Sequence, residues 1–293
     1  MSAFFNILLG GVFHAAVLFL VAAGLQLVFG VQKIVNLACG SFYALGAYFG
    51  ITSVTWALSA GMPEWMFLPV LIVAGVLIGA IGPPIEALLR TIYARDEAFQ
   101  LLLTFALVLM FQDVLRFFWG PNPQTLGNLV AGYGSVSAGA FSISIYNLLV
   151  IVASILIAVS IGAFLQRTRF GRILRATAEN REMSQALGVN VRWIYASVFT
   201  LGTVLGTVGG ALVVPTSAAS LDMPVELVVE AFAVVVIGGL GSMRGALVGA
   251  LIVGLMRAAA ITFYAELEIL AIYLVVIVVL IARPAGLFGK PIE

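Results

Sequence analysis

The sequence predicts an all-α protein whose helices cross a membrane many times. Of its 293 residues, 62% are hydrophobic and 9% are charged, whereas soluble domains carry about 25% charged residues. The mean hydropathy is +1.17. Apolar runs near the roughly 20 residues that a helix needs to cross the hydrocarbon core recur along the chain. Together, these observations exclude a water-soluble fold.

Nine apolar segments are candidates for transmembrane helices. They cover approximately residues 5–29, 36–59, 67–90, 98–118, 144–166, 193–214, 227–240, 245–264 and 267–283. Because the segment 227–240 is short, we predict a polytopic helical bundle of eight or nine membrane segments, some broken or half-length. The first segment lacks a basic start and is longer than the apolar region of a signal peptide, about 7–15 residues, so we expect a retained helix.

The connections between segments are too short to fold alone, since a domain needs about 50 residues. We therefore predict one transmembrane domain over residues 1–293, with a polar loop at about 167–192. The basic residues of this loop are Arg167, Arg169, Arg172, Arg175, Arg181 and Arg192. The positive-inside rule places such a loop in the cytoplasm. Counting nine segments from it gives an external N-terminus and a cytoplasmic C-terminus.

The composition argues against several kinds of site. The basic residues form no polybasic tail, so we expect no nucleic-acid partner. One cysteine, Cys39, and one histidine, His14, cannot assemble a Cys/His metal site, and we interpret His14 as isolated near the outer end of its helix. The sequence has no G-x-x-x-x-G-K-[ST], H-E-x-x-H or G-x-S-x-G motif. We expect a chain with no catalytic residues and no metal or cofactor of its own.

Two stretches with polar residues and glycines interrupt the apolar pattern, at residues 32–41 and 237–244. Non-helical backbone at membrane depth is tolerated only where it is buried in protein or lines an aqueous cavity. Each stretch is therefore either a break beside a translocation path or an ordinary turn at the cytoplasmic surface. The path candidates are Gln26, Asn36, Gly40, Ser41, Gly238, Gly239 and Gly241.

Glycines recur at four-residue spacing in three of the apolar segments. The sets are Gly75 and Gly79; Gly202, Gly206 and Gly210; and Gly241, Gly245 and Gly249. Glycines at this spacing share one face of a helix and allow a second backbone to approach closely. We interpret them as helix-packing positions inside the bundle rather than as transport residues.

Two charged residues, Glu230 and Arg257, lie well inside apolar segments. An ionisable residue inside a membrane is costly and usually has a partner or a function. We interpret the two as an ion pair between adjacent helices, and the alternative is a gating or substrate-contacting role.

The loop 167–192 contains an amphipathic pattern. From Ile173 to Leu187 it predicts one short helix, with apolar Ile173, Ala176, Met183 and Leu187 on one face and Gly188 as its terminator. A solvated loop and a helix lying on anionic lipid are the alternatives. We favour a helix that docks into a groove of a cytoplasmic partner, because Glu179 and Glu182 reduce its positive charge.

Four runs of residues, in this order, resemble the permease family of branched-chain amino acid ABC importers, and the resemblance extends nearly end to end. They are Gly24-Leu25-Gln26 through Phe29-Gly30, Asn36 to Gly40 and Gly46-Ala47-Tyr48; Gly171 through Arg175-Ala176, Glu179-Asn180 and Ala186-Leu187-Gly188; Gly238 to Ser242 with Gly245-Ala246 and Gly249-Ala250; and Arg283-Pro284 with Gly286 to Gly289.

The resemblance implies an inner-membrane permease of a bacterial importer that works by alternating access. It implies a second permease subunit, expected to be a different chain, two cytoplasmic ABC ATPase subunits that hold the ATP and Mg²⁺, and a periplasmic substrate-binding protein. The residues expected to couple ATPase closure to the membrane domain are Gly171, Arg175, Ala176, Glu179, Asn180, Ala186, Leu187 and Gly188.

The substrate stays open among branched-chain amino acids, urea, amides and small aromatic acids, because members of the resembled family differ in this. An ion-coupled secondary transporter is a rival, and it requires ion sites at broken helices near the bilayer midplane. Glu230 is almost the only carboxylate positioned for that role. A purely structural subunit is a further rival, although its broken, glycine-rich segments are excessive for a passive scaffold.

Overall fold

The computed structural model describes residues 2–93, 95–127, 129–138 and 141–289. The first half of the chain is mainly helical. Their bounds are α1 Ser2–Gln32, α2 Cys39–Ser59, α3 Phe67–Gly79, α4 Gly82–Leu89, α5 Glu97–Trp119 and α6 Leu129–Gly132, with single 3₁₀ turns at Glu64–Met66 and Arg90–Ile92. A short antiparallel hairpin follows, with strands β1 Ser135–Ala138 and β2 Phe141–Ser144.

The second half carries two short helices between long ones. Its elements are α7 Ile145–Arg167, α8 Arg169–Glu179, α9 Arg181–Ala186, α10 Val191–Val213, α11 Met223–Gly238, α12 Met243–Phe263 and α13 Glu268–Ala282, with a 3₁₀ turn at Ala265–Leu267. The hairpin lies in the connection before α7, and its strand β2 contacts α1 and α7. The prediction of an all-α polytopic bundle is confirmed.

Six helical segments among the described residues are long and apolar enough to cross a membrane. They are Ile7–Gln32, Glu64–Ile92, Ala98–Trp119, Ile145–Arg167, Val191–Val213 and Met243–Phe263. Helices α2, α11 and α13 complete the bundle. At 1.5 Å per residue, the 16 residues of α11 extend about 24 Å, less than the roughly 30 Å of a hydrocarbon core. These nine segments match the predicted ones, and α11 and α13, with 16 and 15 residues, are both shorter than a full span.

The segment predicted at 67–90 is divided into α3 and α4 at Ala80 and Ile81. Pro83 and Pro84 open α4, and a proline lacks the N–H needed to continue the preceding helix. Two threonines of α10 provide hydrogen bonds to backbone carbonyl groups near the end of α3. Thr207 donates to the carbonyl oxygen of Gly75 over 2.7 Å, and Thr203 donates to that of Gly79 over 2.8 Å. Side-chain donors of this kind satisfy backbone groups at a break within a membrane helix.

Helices α1 and α10 lie at the centre, and glycines bring their neighbours close. A Cβ atom on Gly24 would approach the carbonyl oxygen of Gly202 to 2.6 Å, and one on Gly79 would approach the Cα of Val204 to 2.6 Å. Gly210 and Gly245 face the backbones of Tyr43 and Gly238 in the same way. The prediction that the spaced glycines pack helices together is confirmed except at Gly241, which lies in the turn before α12 with no atom within 4 Å of its Cβ position.

The bundle has two ends, which we call the loop face and the hairpin face. The loop face contains the segments 33–38, 90–93, 95–96, 168–190 and 239–242. The hairpin face contains the segments 60–66, 120–127, 129–138, 141–144, 214–222 and 264–267. Contacts hold each face together: on the loop face Gln32 donates to the carbonyl oxygen of Tyr195 over 2.9 Å, and on the hairpin face Gln124 and Ala219 exchange two backbone hydrogen bonds of 2.9 Å.

Candidate functional site

A cluster of charged side chains joins four helices inside the bundle. His14 comes from α1, Glu230 from α11, Arg257 from α12 and Glu268 from the start of α13. Glu230 is 7% exposed. Arg257 donates to Glu230 Oε1 over 2.7 Å and forms a second ion pair with Glu268. The predicted pairing of Glu230 with Arg257 is confirmed, and it brings together residues 27 positions apart.

The imidazole of His14 completes this cluster. Its Nε2 lies 2.8 Å from Glu230 Oε2 and 2.8 Å from Arg257 Nη1. A ring nitrogen that carries a proton can donate to the carboxylate, and one without a proton can accept from the guanidinium, but it cannot do both at once. The cluster therefore has two alternative hydrogen-bond patterns that differ by the position of one proton.

A cavity of about 430 Å³ lies beside the cluster. Its polar lining runs from Thr216, Ser217 and Ser220, in the connection on the hairpin face, to His14, Glu230 and Arg257. Tyr43 and Glu226 line it as well. A cavity whose polar side chains lead to charged groups inside an apolar bundle can admit a small polar solute from the hairpin face.

The interpretation of His14 as isolated is wrong. The sequence places His14 in an apolar helix more than 200 residues from its partners, and only the packing of α1 against α11 and α12 brings them together. Glu268 is a further functional candidate that sequence reasoning missed. Its only signal is its position at the start of an apolar segment, where an acidic residue suits the helix N-terminus.

The candidates Gln26, Gly238, Gly239 and Gly241 meet at the turn between α11 and α12. The Gln26 amide donates to the carbonyl oxygen of Gly239 over 2.9 Å and accepts from the N–H of Gly241 over 2.5 Å. Gly239 and Gly241 have φ of +93° and +81°, which glycine adopts without a steric cost. The N–H of Phe288 donates to the carbonyl oxygen of Gly238 over 3.0 Å. This geometry is that of a tight turn in which Gly238 and Gly239 are buried and Gly241 is exposed. A role in the path stays a prediction.

The other three path candidates lie where α1 gives way to α2. Asn36 accepts from the N–H of Ala38 over 3.0 Å and is 3% exposed. Gly40 faces the backbone of Pro224 in α11 so closely that a Cβ would collide with it. The hydroxyl of Ser41 is buried without a hydrogen-bond partner among the described residues. These positions are therefore buried in protein, and their role in transport is untested.

The predicted single helix from Ile173 to Leu187 is wrong: Asn180 divides it into α8 and α9. Asn180 has extended backbone angles, φ −145° and ψ 101°, and its side chain accepts from the N–H of Met183 over 2.9 Å. Asparagine is a strong N-cap, because its side-chain oxygen satisfies a free N–H of the next helix. Gly188, with φ +81°, ends α9 as predicted.

Helices α8 and α9 are held in place by the residues that flank them. Thr168 and Asn190 also act as N-caps, accepting from the N–H groups of Gly171 and Trp193 over 3.2 Å each. The ring of Phe170 contacts the rings of Phe164 in α7 and Trp193 in α10, at centroid distances of 5.5 and 5.6 Å. The loop is therefore a structured link between α7 and α10.

The apolar side chains predicted to form the docking face, those of Ile173, Ala176, Met183 and Leu187, are exposed. Met183 is 57% exposed and Leu187 is 78% exposed. The residues that face the bundle are Gly171, Leu174, Thr177 and Ser184. The expected coupling residues Arg175, Ala176, Glu179, Asn180, Ala186, Leu187 and Gly188 all lie on the exposed side, whereas Gly171 packs under α7 against Leu165. The loop thus presents a free surface with both apolar and charged groups.

Among the described residues, no group of three or more His, Cys, Asp or Glu side chains is arranged to hold a metal ion. The expectation that the chain has no cofactor of its own stays a prediction.

Comparison with known proteins identifies the family. A family model described as a branched-chain amino acid transport system permease component matches residues 7–282. The chain is 26% identical over 280 residues to the high-affinity branched-chain amino acid transport system permease protein BraD of Pseudomonas aeruginosa, covering 93% of this chain and 91% of that protein. It is 26% identical over 286 residues to the corresponding protein LivH of Escherichia coli K12, with the same coverage.

A solved structure shares the fold. It is that of PsaBC from Streptococcus pneumoniae in complex with a Fab, which aligns with a TM-score of 0.50 and 11% identity over 97% of this chain and 94% of that chain. The helices and the family match agree with the resemblance carried by the four sequence runs. The chain therefore belongs to the family of permease components of branched-chain amino acid transport systems.

Proposed function

We propose that this chain is one membrane half of an ATP-driven importer that carries branched-chain or related amino acids by alternating access. The observation that carries the proposal is the exposed face of α8 and α9, which is rigidly built and has no partner among the described residues. Amphipathic helices with exposed apolar side chains commonly dock into a groove of another protein. The proposed occupant of that face is a cytoplasmic ABC ATPase subunit, which holds the ATP and Mg²⁺.

The capped geometry of the loop suits the transmission of force. A displacement of α8 and α9 moves Phe170, whose ring contacts both Phe164 and Trp193. Those two residues belong to long helices that cross the bundle, α7 and α10. Since α10 lies at the centre against α1, α2 and α3, closure of the ATPase subunits would shift the helices around the cavity. The chain itself performs no covalent chemistry.

The proposed assembly has a second, different permease subunit, two ATPase subunits and a periplasmic binding protein that delivers the solute. The loop face is then cytoplasmic and the hairpin face periplasmic, with the N-terminus outside and the C-terminus inside, in a bacterial inner membrane. The six arginines of the 167–192 loop support this orientation. Apolar side chains exposed along α7, such as Val152, Ile155 and Val159, are suited to contact lipid or the second permease subunit.

The charged cluster beside the cavity supports an amino acid as the solute. A free amino acid carries an ammonium and a carboxylate, which complement Glu230 and Arg257. The path candidates Gln26, Asn36, Gly40, Ser41, Gly238, Gly239 and Gly241 are proposed to act indirectly, as the packed turns about which the helices move. Urea, amides and small aromatic acids are the alternative solutes.

The test is uptake into proteoliposomes that contain the chain with its partner permease, ATPase subunits and binding protein. We expect accumulation of radiolabelled leucine that requires ATP. A variant of the ATPase subunit without its phosphate-loop lysine should abolish it, because that lysine contacts the β- and γ-phosphates. Leucine uptake that continues in this variant would contradict the ATP-driven mechanism. ATP-dependent uptake of urea but not of leucine would show that urea, and not a branched-chain amino acid, is the solute.

A further inference from the structure

A second cavity, of about 260 Å³, lies on the loop face. It shares no lining residue with the cavity beside the charged cluster. It is lined by Arg90, Tyr93, Arg181, Gln185, Arg192 and Tyr195. Three elements contribute: the 3₁₀ turn after α4 supplies Arg90, α9 supplies Arg181 and Gln185, and the first turn of α10 supplies Arg192 and Tyr195. The cavity thus joins the proposed coupling loop to the membrane helices.

The cavity has an excess of positive charge. Arg90 is paired with the buried carboxylate of Glu86. Arg181 and Arg192 form no ion pair with any carboxylate among the described residues, and the Arg181 guanidinium lies 5.4 Å from the ring centroid of Tyr195. The 23-residue helix α10 begins at Val191, so the positive end of its dipole also lies at the cavity wall.

The floor of the cavity is built independently of any ligand. The Tyr93 hydroxyl donates to Glu86 over 3.1 Å, and Gln32 donates to the carbonyl oxygen of Tyr195 over 2.9 Å. The rings of Tyr93 and Tyr195 meet edge to face at 5.7 Å. Burial and the neighbouring Glu86 carboxylate raise the pKa of Tyr93, so this phenol stays protonated and adds no negative charge.

We propose that this cavity binds a phosphate group, which Arg181 and Arg192 hold by charge-assisted hydrogen bonds while Arg90 completes the ring of positive charge. Guanidinium groups match phosphate geometry through paired N–H donors, and a helix N-terminus adds N–H groups and a favourable dipole. A bound phosphate would tie α9 to α10 and to the end of α4. It would thereby fix the position of the proposed ATPase-docking face.

Two sources share this chemistry. An anionic phospholipid can place its head group in a basic pocket between transmembrane helices on the cytoplasmic side, and free inorganic phosphate can enter from the cytoplasm. A carboxylate of the ATPase subunit is a different occupant, and it would compete with either of them. The inference does not depend on which solute the importer carries.

The test compares the parent protein, with and without its ATPase subunits, with three double variants. Arg181→Gln with Arg192→Gln removes the two unpaired charges of the cavity. Arg169→Gln with Arg172→Gln removes the same charge from exposed positions of α8 that do not line the cavity. Arg181→Lys with Arg192→Lys keeps the charge and reports on the site if the glutamine variant does not fold.

Two readouts are made on each protein in nanodiscs. Native mass spectrometry counts retained phosphatidylglycerol against phosphatidylcholine, and the thermal unfolding midpoint is measured with inorganic phosphate against chloride at equal ionic strength. We expect the Arg169/Arg172 variant to bind like the parent and the Arg181/Arg192 variant to bind about tenfold more weakly, the loss expected for removing charge-assisted pairs. The lysine variant should lie between them.

The outcomes separate the sources. Retention of phosphatidylglycerol alone would identify the occupant as a lipid head group. Stabilisation by inorganic phosphate alone would identify it as the free anion. Either result supports the proposed site. Equal binding by the Arg181/Arg192 and Arg169/Arg172 variants would overturn it. So would binding that the chain loses when the ATPase subunits assemble, because their carboxylate would then be the occupant.

Discussion

The charged cluster and the α8–α9 loop are built in opposite ways. In the cluster, His14, Glu230, Arg257 and Glu268 come from four helices, and the His14–Glu230 contact spans 216 positions in the sequence. In the loop, each cap joins residues three positions apart, as in Asn180 with Met183. The cluster therefore depends on the tertiary packing of the bundle, whereas the loop is encoded by local residues. Substitutions in the first region should act on the whole fold, and those in the second on one segment.

The largest effect is expected where the bundle is tightest. Gly46→Val in α2 would place side-chain atoms into the backbone of Thr207 in α10, and a well-packed backbone contact cannot move aside. We expect no monodisperse protein by size-exclusion chromatography in detergent. Gly162→Val in α7 is the control, because no atom lies within 4 Å of the corresponding Cβ position. Equal recovery of the two variants would show that the α2–α10 contact does not limit folding.

The next effect is expected in the cluster. Glu230→Ala removes the carboxylate shared by His14 and Arg257 and leaves a charge inside the bundle with fewer partners, which costs about 3 kcal/mol. The thermal unfolding midpoint should fall clearly below that of the parent. Glu226→Ala, one turn away on the same helix and in the same cavity, removes an exposed carboxylate that forms no ion pair among the described residues. It should leave the midpoint unchanged. A similar fall of the midpoint in both variants would show that the contacts of Glu230 with His14 and Arg257 do not stabilise the fold.

A smaller, local effect is expected in the loop. Asn180→Ala removes the N-cap of α9 at a cost of about 1 kcal/mol. Amide hydrogen exchange over residues 181–187 should rise about fivefold, while the exchange of α10 stays unchanged. Asn180→Asp keeps an oxygen acceptor and should preserve the protection. If exchange rises equally in α10, the loop is not the local unit described above.

The same contrast explains which features of the structure could be predicted from the sequence. Apolar length and glycine spacing predicted all nine segments and their close packing, because both signals are local. The exposed residues of the loop were also predicted, since a short amphipathic pattern is visible without the fold. Its division at Asn180 was missed because the 3.6-residue periodicity continues across the break.

The site in the membrane could be predicted only in part. Glu230 and Arg257 were recognised because charges inside apolar segments are conspicuous. His14 and Glu268 lack that signal, and nothing in the spacing indicates that α1 and α13 converge on the same cavity. The cavity on the loop face was missed for a similar reason: Arg90 and Arg192 are separated by about 100 residues, and only the fold places them together.

The central claim is that an ATPase subunit binds the exposed apolar side chains of Met183 in α9 and of Leu187 at the end of that helix. The most direct measurement is ATP-dependent uptake by the assembled transporter with Met183→Ala and Leu187→Ala. The account predicts uptake reduced about tenfold, as for truncated anchors of an interface, with stability changed by less than about 0.5 kcal/mol. The control, Leu274→Ala with Ile277→Ala at exposed positions of α13, should retain uptake. Full uptake by the Met183/Leu187 variant would contradict the account.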